Sequence, residues 1–227
     1  MAVNHDPRCR QCRREGVRLF LKGDKCFGPK CTIEKTSKDD RKTRWRDKPP
    51  GMHGSPSFQK KITEYGQQLR EKQKLRRIYR VLETQFHNYL LEAQRRPGVT
   101  GENLLQLLEI RFDNVIFRLG IGSSRAQSRQ MISHRHFTIN GRRVNIPSYH
   151  LKPGDVIGVH ETMTKTGTIK EARDRVLSTK RGLPAWLDFN AQTLEGRVLA
   201  MPTLVDIKAT GDVRDVREQL IIEFYSR

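Results

Sequence analysis

The chain has 227 residues and carries 44 Lys and Arg against 25 Asp and Glu, a formal net charge of +19. That length holds one large domain or two small ones, and the surplus calls for a polyanionic partner, nucleic acid above all, because neutralised phosphates release counterions. No run of about 18 apolar residues exists to span a membrane, and Met1–His5 leads into a Cys/Arg cluster rather than the apolar stretch of a signal peptide, so a reducing, intracellular setting without structural disulfides is expected.

The charge is unevenly spread. Residues 1–100 hold 25 basic and 11 acidic residues, residues 101–175 hold 12 and 7, and the last 52 hold seven of each. The basic surface therefore belongs to the first half and tails into the middle.

All four cysteines lie within the first 31 residues, as C-x2-C at Cys9 and Cys12 and C-x4-C at Cys26 and Cys31. Two close pairs joined by a loop suit a tetrahedral thiolate site, and Gly28-Pro29 supplies turn chemistry inside the second pair. Arg8, Arg10, Arg13, Arg14, Lys25 and Lys30 are expected to favour thiolates and to offset the −2 charge of a zinc bound by four of them. Four reduced or adventitiously paired cysteines are the plain alternative, and neither pair has the strand–helix context of a redox motif. A catalytic zinc needs an open position that four sulfurs do not leave. The reading is one structural Zn2+ that holds an Arg/Lys loop in shape.

Thr36–Lys48 is highly charged, without periodicity, and reads as an exposed linker; Trp45 within it could stack on a base or anchor the segment. Pro49–Gly54 forms a stiff turn. Residues 58–96 are helical in pattern, with Leu75, Tyr79, Leu82, Phe86 and Leu90 on one stripe. Arg70, Lys74, Arg76, Arg77 and Arg80 fall on the opposite arc, a cationic back fit to face phosphates, with Glu71 the exception near the apolar side. Pro97-Gly98 ends this region. A second helical run, Asn103–Glu109, leads into Arg111–Gly120, where Phe112, Val115, Ile116 and Leu119 keep helical spacing, and Gly120–Ser123 breaks it. A third helix, capped by Ser123 or Ser124, runs to about Ser133, with Arg125 and Arg129 projecting together. Asn140-Gly141 between Phe137–Ile139 and Arg143–Ile146 marks a two-residue hairpin, and a turn at 151–155 leads into a strand over Val156–Val159. Beyond these, Pro184–Leu187 suggests a packing anchor with Trp186 in the core, and the alternating Gln219–Tyr225 suggests a final strand.

Residues 111–161, RFDNVIFRLGIGSSRAQSRQMISHRHFTINGRRVNIPSYHLKPGDVIGVHE, resemble a small RNA-binding module first known from bacterial ribosomal small-subunit protein four. Other RNA-binding proteins carry that module, but the order of the remaining motifs is more specific. The four-cysteine spacing, PPG-x-HG at 49–54, YGQQLREKQKLRRIYRVLE at 65–83, GVTGENLLQLLE at 98–109 and EQLIIEFYSR at 218–227 together resemble the zinc-containing bacterial form of that family. The departures are local. Residues 36–48 look inserted and 207–217 look longer than typical. Arg80 stands where a small residue, commonly Gly, is usual, and His134-Arg135-His136 is more basic than the pattern.

The fold expected is α+β. It comprises a zinc-bound N-terminal region (1–48), a helical domain (49–110) completed by 176–227, and an inserted α+β RNA-binding module with a small antiparallel sheet (111–175). The resemblance implies a ribosomal small-subunit constituent that binds small-subunit rRNA in the 5′ domain, nucleates assembly there, lines the mRNA entrance with small-subunit protein three, and affects decoding accuracy through protein five. It would work in the ribosome, in the cytoplasm or an organelle. Three patches are expected to grip the RNA through its shape and phosphates: the α-helical face named above; Arg125, Arg129, His134, His136, Arg142 and Arg143 on the module; and Arg8, Arg10, Arg13, Arg14 and Lys30 around the zinc. The neutral C-terminal part would suit a protein neighbour.

An enzyme bearing the same module is the rival from another class. Only 66 residues follow position 161, and they show no nucleophile–base constellation. A pseudouridine synthase would need a far larger catalytic domain with an active Asp, and a synthetase would need a nucleotide-binding domain. Asp113 reads as a local cap or ion-pair residue, so no catalysis and no small-molecule substrate are expected. A free RNA chaperone or translational regulator differs only in its RNA.

Overall fold

The computed structural model describes residues 6–28, 31, 33, 49–54, 62–160, 183–190 and 192–226. These form two compact units. The first comprises Met1–Asn88 with Asp215–Arg227, and the second comprises Tyr89–Arg214. The expected boundaries differ from these: only the last thirteen residues return to the first unit, and 187–198 belong to the module's own sheet.

The first unit opens with α1 (Arg8–Glu15), which ends on Gly16 in the left-handed conformation, and a 3-10 turn at Gly23–Cys26. Met52–Gly54 form another short 3-10 turn after the double proline. There Gly54 lies so close to the Pro49 carbonyl that a Cβ would fall 1.8 Å from its oxygen, so only glycine fits. The main helix, α2 (Glu64–Tyr79), is capped by the Thr63 hydroxyl, which accepts from the Gly66 N–H.

The single helical stripe expected over 58–96 is broken. Arg80 adopts φ +55°, its N–H donates to Arg77 O, and the Val81 N–H donates to Arg76 O. That pair of bonds is a Schellman motif, which ends the helix and requires a left-handed residue. Glycine is the residue that adopts this conformation without strain. A second helix, α3 (Glu83–Arg95), then begins, and the unit boundary falls within it. Lys61 and the residues before it back to 55 lie outside the described residues.

The C-terminal segment is helix α8 (Glu218–Tyr225) rather than the expected strand. Its apolar side chains read equally as alternating or as helical over so short a run. Packing decides: Ile221 is fully buried as α8 lies along α2. Gln68 donates to Glu223 at 3.1 Å, and the Tyr225 hydroxyl donates to Glu83 at 2.7 Å. The Lys72 ammonium sits 4.7 Å from the centre of the Phe224 ring while bonded to Glu83 at 2.6 Å, so a buried charge is compensated on two sides.

The second unit follows the sequence closely. Helices α4 (Thr100–Glu109), α5 (Phe112–Arg118) and α6 (Arg125–Ser133) fall where periodicity puts them, and the Ser124 hydroxyl caps α6 by accepting from the Gln127 N–H. Strands β1 (Phe137–Ile139) and β2 (Arg142–Arg143) pair with Ile139 opposite Arg142, leaving Asn140-Gly141 as a two-residue turn with φ of +49° and +80°. That is the hairpin geometry this dipeptide favours. Strand β3 (Val156–Val159) pairs with β1 on its other side.

Two further strands, β4 (Leu187–Asn190) and β5 (Glu195–Val198), were not expected. They extend an antiparallel sheet of order β2-β1-β3-β5-β4. Helix α7 (Leu204–Ala209) starts with a capping box in which Thr203 and Asp206 satisfy each other's N–H. Phe112, Ile116, Ile132, Phe137 and Ile157 are almost wholly buried between helices and sheet, and Trp186 joins them as a core residue.

Candidate nucleic-acid interface and metal centre

The first unit holds all four cysteines. Cys12 and Cys26 are buried, Cys9 and Cys31 half-buried, and all four are free thiols. Cys9 and Cys12 fall on successive turns of α1. The Leu19 N–H donates to the Cys12 sulfur, and the Lys22 N–H reaches Cys26 Sγ at 3.3 Å. Burial pushes the Cys12 thiol up to about 11, and the charges of Cys26, Cys9 and Cys31 add to that rise. Burial likewise raises Cys26. The expectation that basic neighbours favour thiolates is therefore corrected: desolvation and mutual repulsion among the sulfurs outweigh them. Among the described residues, no three or more His, Cys, Asp or Glu form a group arranged to hold a metal ion.

Arg10 and Arg14 on α1 are exposed, Arg8 and Arg13 half-buried, and the Arg8 guanidinium donates to Leu21 O at 3.2 Å. Lys30 lies outside the described residues, as does the linker segment at 36–48 with Trp45.

The cationic back expected on α2 is largely internal. Arg70 and Arg77 both grip Glu15 of α1, Arg70 at 3.3 Å. Lys74 is buried, bonded to Glu71 at 2.6 Å and close to Asp215 O at 3.4 Å. Arg76 pairs with Glu83 at 3.2 Å. Helical spacing put these side chains on one arc correctly, but Glu15 of α1, Glu71 of α2 itself and Glu83 of α3 supply carboxylates to it. Arg80 is half-buried at the helix end.

Arg125 and Arg129 also turn inward. Arg125 is buried; it donates to Asn114 at 2.8 Å and Asp212 at 2.8 Å, and lies 4.5 Å from the centre of the Phe117 ring. Arg129 is buried beside Asp113 at 3.6 Å. Asp113 holds the fully buried Arg111 through two bonds of 3.0 and 3.2 Å, which fits the ion-pair reading of that carboxylate. Arg118 joins Glu109 at 2.6 Å and Asp212 at 3.2 Å. The two arginines expected to touch RNA thus belong to the packing of α5 and α6.

What stays open on the second unit is a basic edge of the sheet. Arg142 and Arg143 are exposed on β2, and Arg143 reaches across β1 to His160 Nδ1 at 2.7 Å. His134 is exposed and His136 half-buried, their rings stacked with centroids 5.7 Å apart. The His160 N–H donates to His136 O at 2.9 Å, drawing the third histidine into the group. Sequence reasoning missed two members. His160 is set beside Arg143 only by strand pairing. Arg135 is exposed with φ +61°, the left-handed residue of a second Schellman motif at the end of α6, an unusual post for a side chain.

Sequence comparison matches residues 3–109 to a family described as ribosomal protein S4/S9 N-terminal domain, and residues 110–157 to the S4 domain. The chain is 52% identical to small ribosomal subunit protein uS4 of Pelotomaculum thermopropionicum over 219 residues, 96% of each chain. It is 49% identical to the uS4 of Desulforamulus reducens and 48% to that of Aromatoleum aromaticum, in both cases over all 227 residues and the whole relative. With conserved order across its full length, the chain belongs to the family of small ribosomal subunit protein uS4.

Proposed function

We propose that this chain is a structural constituent of the small ribosomal subunit that binds small-subunit rRNA and has no catalytic role. Full-length similarity to relatives named small ribosomal subunit protein uS4 carries the reading. The exposed basic edge of His134, Arg135, Arg142 and Arg143, with half-buried His136 beside it, supports it chemically. Arg142 and Arg143 stand side by side on a short strand beside a stiff turn. They suit phosphate positioning over base readout, as RNA duplexes require of a protein surface. Arg10 and Arg14 extend the same chemistry to the first unit.

The finer roles belong to the same proposal. The chain nucleates 5′-domain assembly by holding RNA helices on two basic surfaces, and it neighbours small-subunit proteins three and five near the mRNA entrance. In the ribosome its setting is the cytoplasm; no helix among the described residues is long and apolar enough to cross a membrane. One structural Zn2+ on Cys9, Cys12, Cys26 and Cys31 belongs to the same proposal, resting on the C-x2-C and C-x4-C spacing. The buried sulfurs feel one another's charge, so a soft dication is their natural counter-ion, and binding displaces protons that burial otherwise retains. The zinc would hold Arg10 and Arg14 on a fixed surface.

Cosedimentation with small subunits washed at high salt tests the ribosomal role, alongside binding to a 5′-domain transcript. Retention on the subunit is expected, and the double variant R142Q/R143Q is expected to lower the slope of log affinity against log salt by about 1.4–1.8. Recovery only in free fractions would point instead to an RNA chaperone or regulator.

A further inference from the structure

In the first unit, a cavity of about 20 Å³ opens between the start of α1 and the C-terminal end of α2. Four arginines line it, Arg8, Arg76, Arg77 and Arg80, with Asp6 as the sole carboxylate in the wall and Leu21 as an apolar face. Its size decides what enters. One water needs roughly 10–15 Å³ of such space, so the cavity takes one oxygen-sized group or the edge of an oxyanion and excludes a base.

The internal ion pairs leave the wall cationic. Glu15 is shared between Arg70 and Arg77, and Glu83 between Lys72 and Arg76. Among the described residues of the wall four arginines therefore face one carboxylate, and the two carboxylates that reach Arg76 and Arg77 are each shared with a second cation. Arg77 reflects the crowding: burial, with Arg70, Arg76 and Arg14 nearby, lowers its pKa despite Glu15. An anion is the group such a wall attracts.

The fourth arginine has been put there at a conformational cost. Arg80 holds φ +55° at the left-handed position of the Schellman motif, where glycine is unstrained. A strained backbone at a charged cavity points to function. Resting on the RNA-binding reading above, we infer that this cavity seats one phosphodiester of the bound RNA and that Arg80 closes its wall. The helix C-terminus, whose dipole favours a cation, helps to hold the guanidinium there.

The full-length variants R80G and R80N test this, because both residues tolerate the left-handed conformation and preserve the helix end; melting temperatures no lower than wild type would verify the fold. Each is expected to weaken RNA binding about tenfold at 0.15 M salt, as loss of one charge-assisted contact does. Each should also lower the salt slope by about 0.7–0.9. R8Q, from the opposite wall, should do the same. R142Q on the second unit is the reference for RNA binding itself. A normal slope in R80G and R8Q with a reduced one in R142Q would overturn the phosphate seat and leave the RNA reading intact. Salt-independent or absent RNA binding by the wild type would overturn both. Titration with inorganic phosphate, followed at the Val81 amide by NMR, separates the source of the anion. A shift there with unchanged RNA binding in R80G would assign the cavity to a free anion and overturn the proposal.

Discussion

Replacing Asp113 with Asn tests whether Arg129 serves the interior rather than the RNA. In the wild type one carboxylate serves two buried guanidiniums, Arg111 through bonds of 3.0 and 3.2 Å and Arg129 at 3.6 Å. Arg111 is fully buried and Arg129 7% exposed, so neither can turn to water. D113N keeps the shape and removes the charge, and an amide cannot accept as two guanidiniums require. Breaking a buried pair by deleting one partner costs about 3–5 kcal/mol, and here two positive charges are left beside each other. Arg111 retains the Tyr89 hydroxyl, which argues for the lower half of that range. For a unit of this size 1 kcal/mol moves the midpoint by about 4 °C, so the second unit should melt roughly 12–16 °C earlier. Trp186 reports on that unit because it lies in its core, and W45F removes the other tryptophan. Thermal and urea unfolding of W45F and W45F/D113N, read by fluorescence, give the difference. D113N/R129M should recover part of the loss, since one of the two buried positive charges is then replaced by an apolar chain. A loss below about 1 kcal/mol, with no recovery in the double variant, would refute the argument and reopen Arg129 as an RNA contact.

Glu83 gives a pH dependence with a defined sign. Burial alone would raise its carboxyl, but hydrogen bonds from Lys72 and Tyr225, with the charges of Lys72 and Arg76, hold it below the ordinary range. A depressed carboxylate stabilises the fold above its unfolded value, near 4.5, and that contribution is lost as pH falls through the lower folded value. The stability gap between wild type and E83Q should therefore be full at pH 6–7 and close below about pH 4.5, measured by urea midpoints; a gap unchanged at pH 3.5 would contradict the pairing. The cysteine cluster predicts about one zinc per chain by elemental analysis. C12S or chelation should lower the melting temperature of the first unit while leaving Trp186 fluorescence unmoved, and metal-free protein melting like the loaded form would remove the structural role.

The sequence was most legible where the signals are local. The Ser124 cap, the Asn140-Gly141 turn and the helical spacing of α4 to α6 each act over a few residues, and they describe most of the second unit. The failures are all matters of partnership. Periodicity set Arg70, Arg76 and Arg77 on one arc, but Glu15 lies 55 residues before Arg70 in the chain, and only the fold brings it there. Arg125 and Arg129 share a helix face as expected, and that face points inward because Asp113 and Asp212 wait for them. The α8 segment is apolar enough for either periodicity, and burial of Ile221 on α2 selects the helix. Strands β4 and β5, four residues each, carry too little pattern to stand out from the loop around them.

Asp212 has a bearing on how the chain is made. It ties Arg118 and Arg125 together from 94 and 87 residues further on, while Phe224 and Tyr225 complete the setting of Lys72. Synthesis runs from the N-terminus, so Arg118 and Arg125 meet Glu109 and Asn114 long before Asp212 is made, and α2 exists well before α8 can cover it. Both units are thus locked by their latest residues. A nascent chain short of these residues lacks the carboxylate that Arg118 and Arg125 share and leaves an apolar flank of α2 uncovered, so the interior of each unit is finished by residues far along the chain.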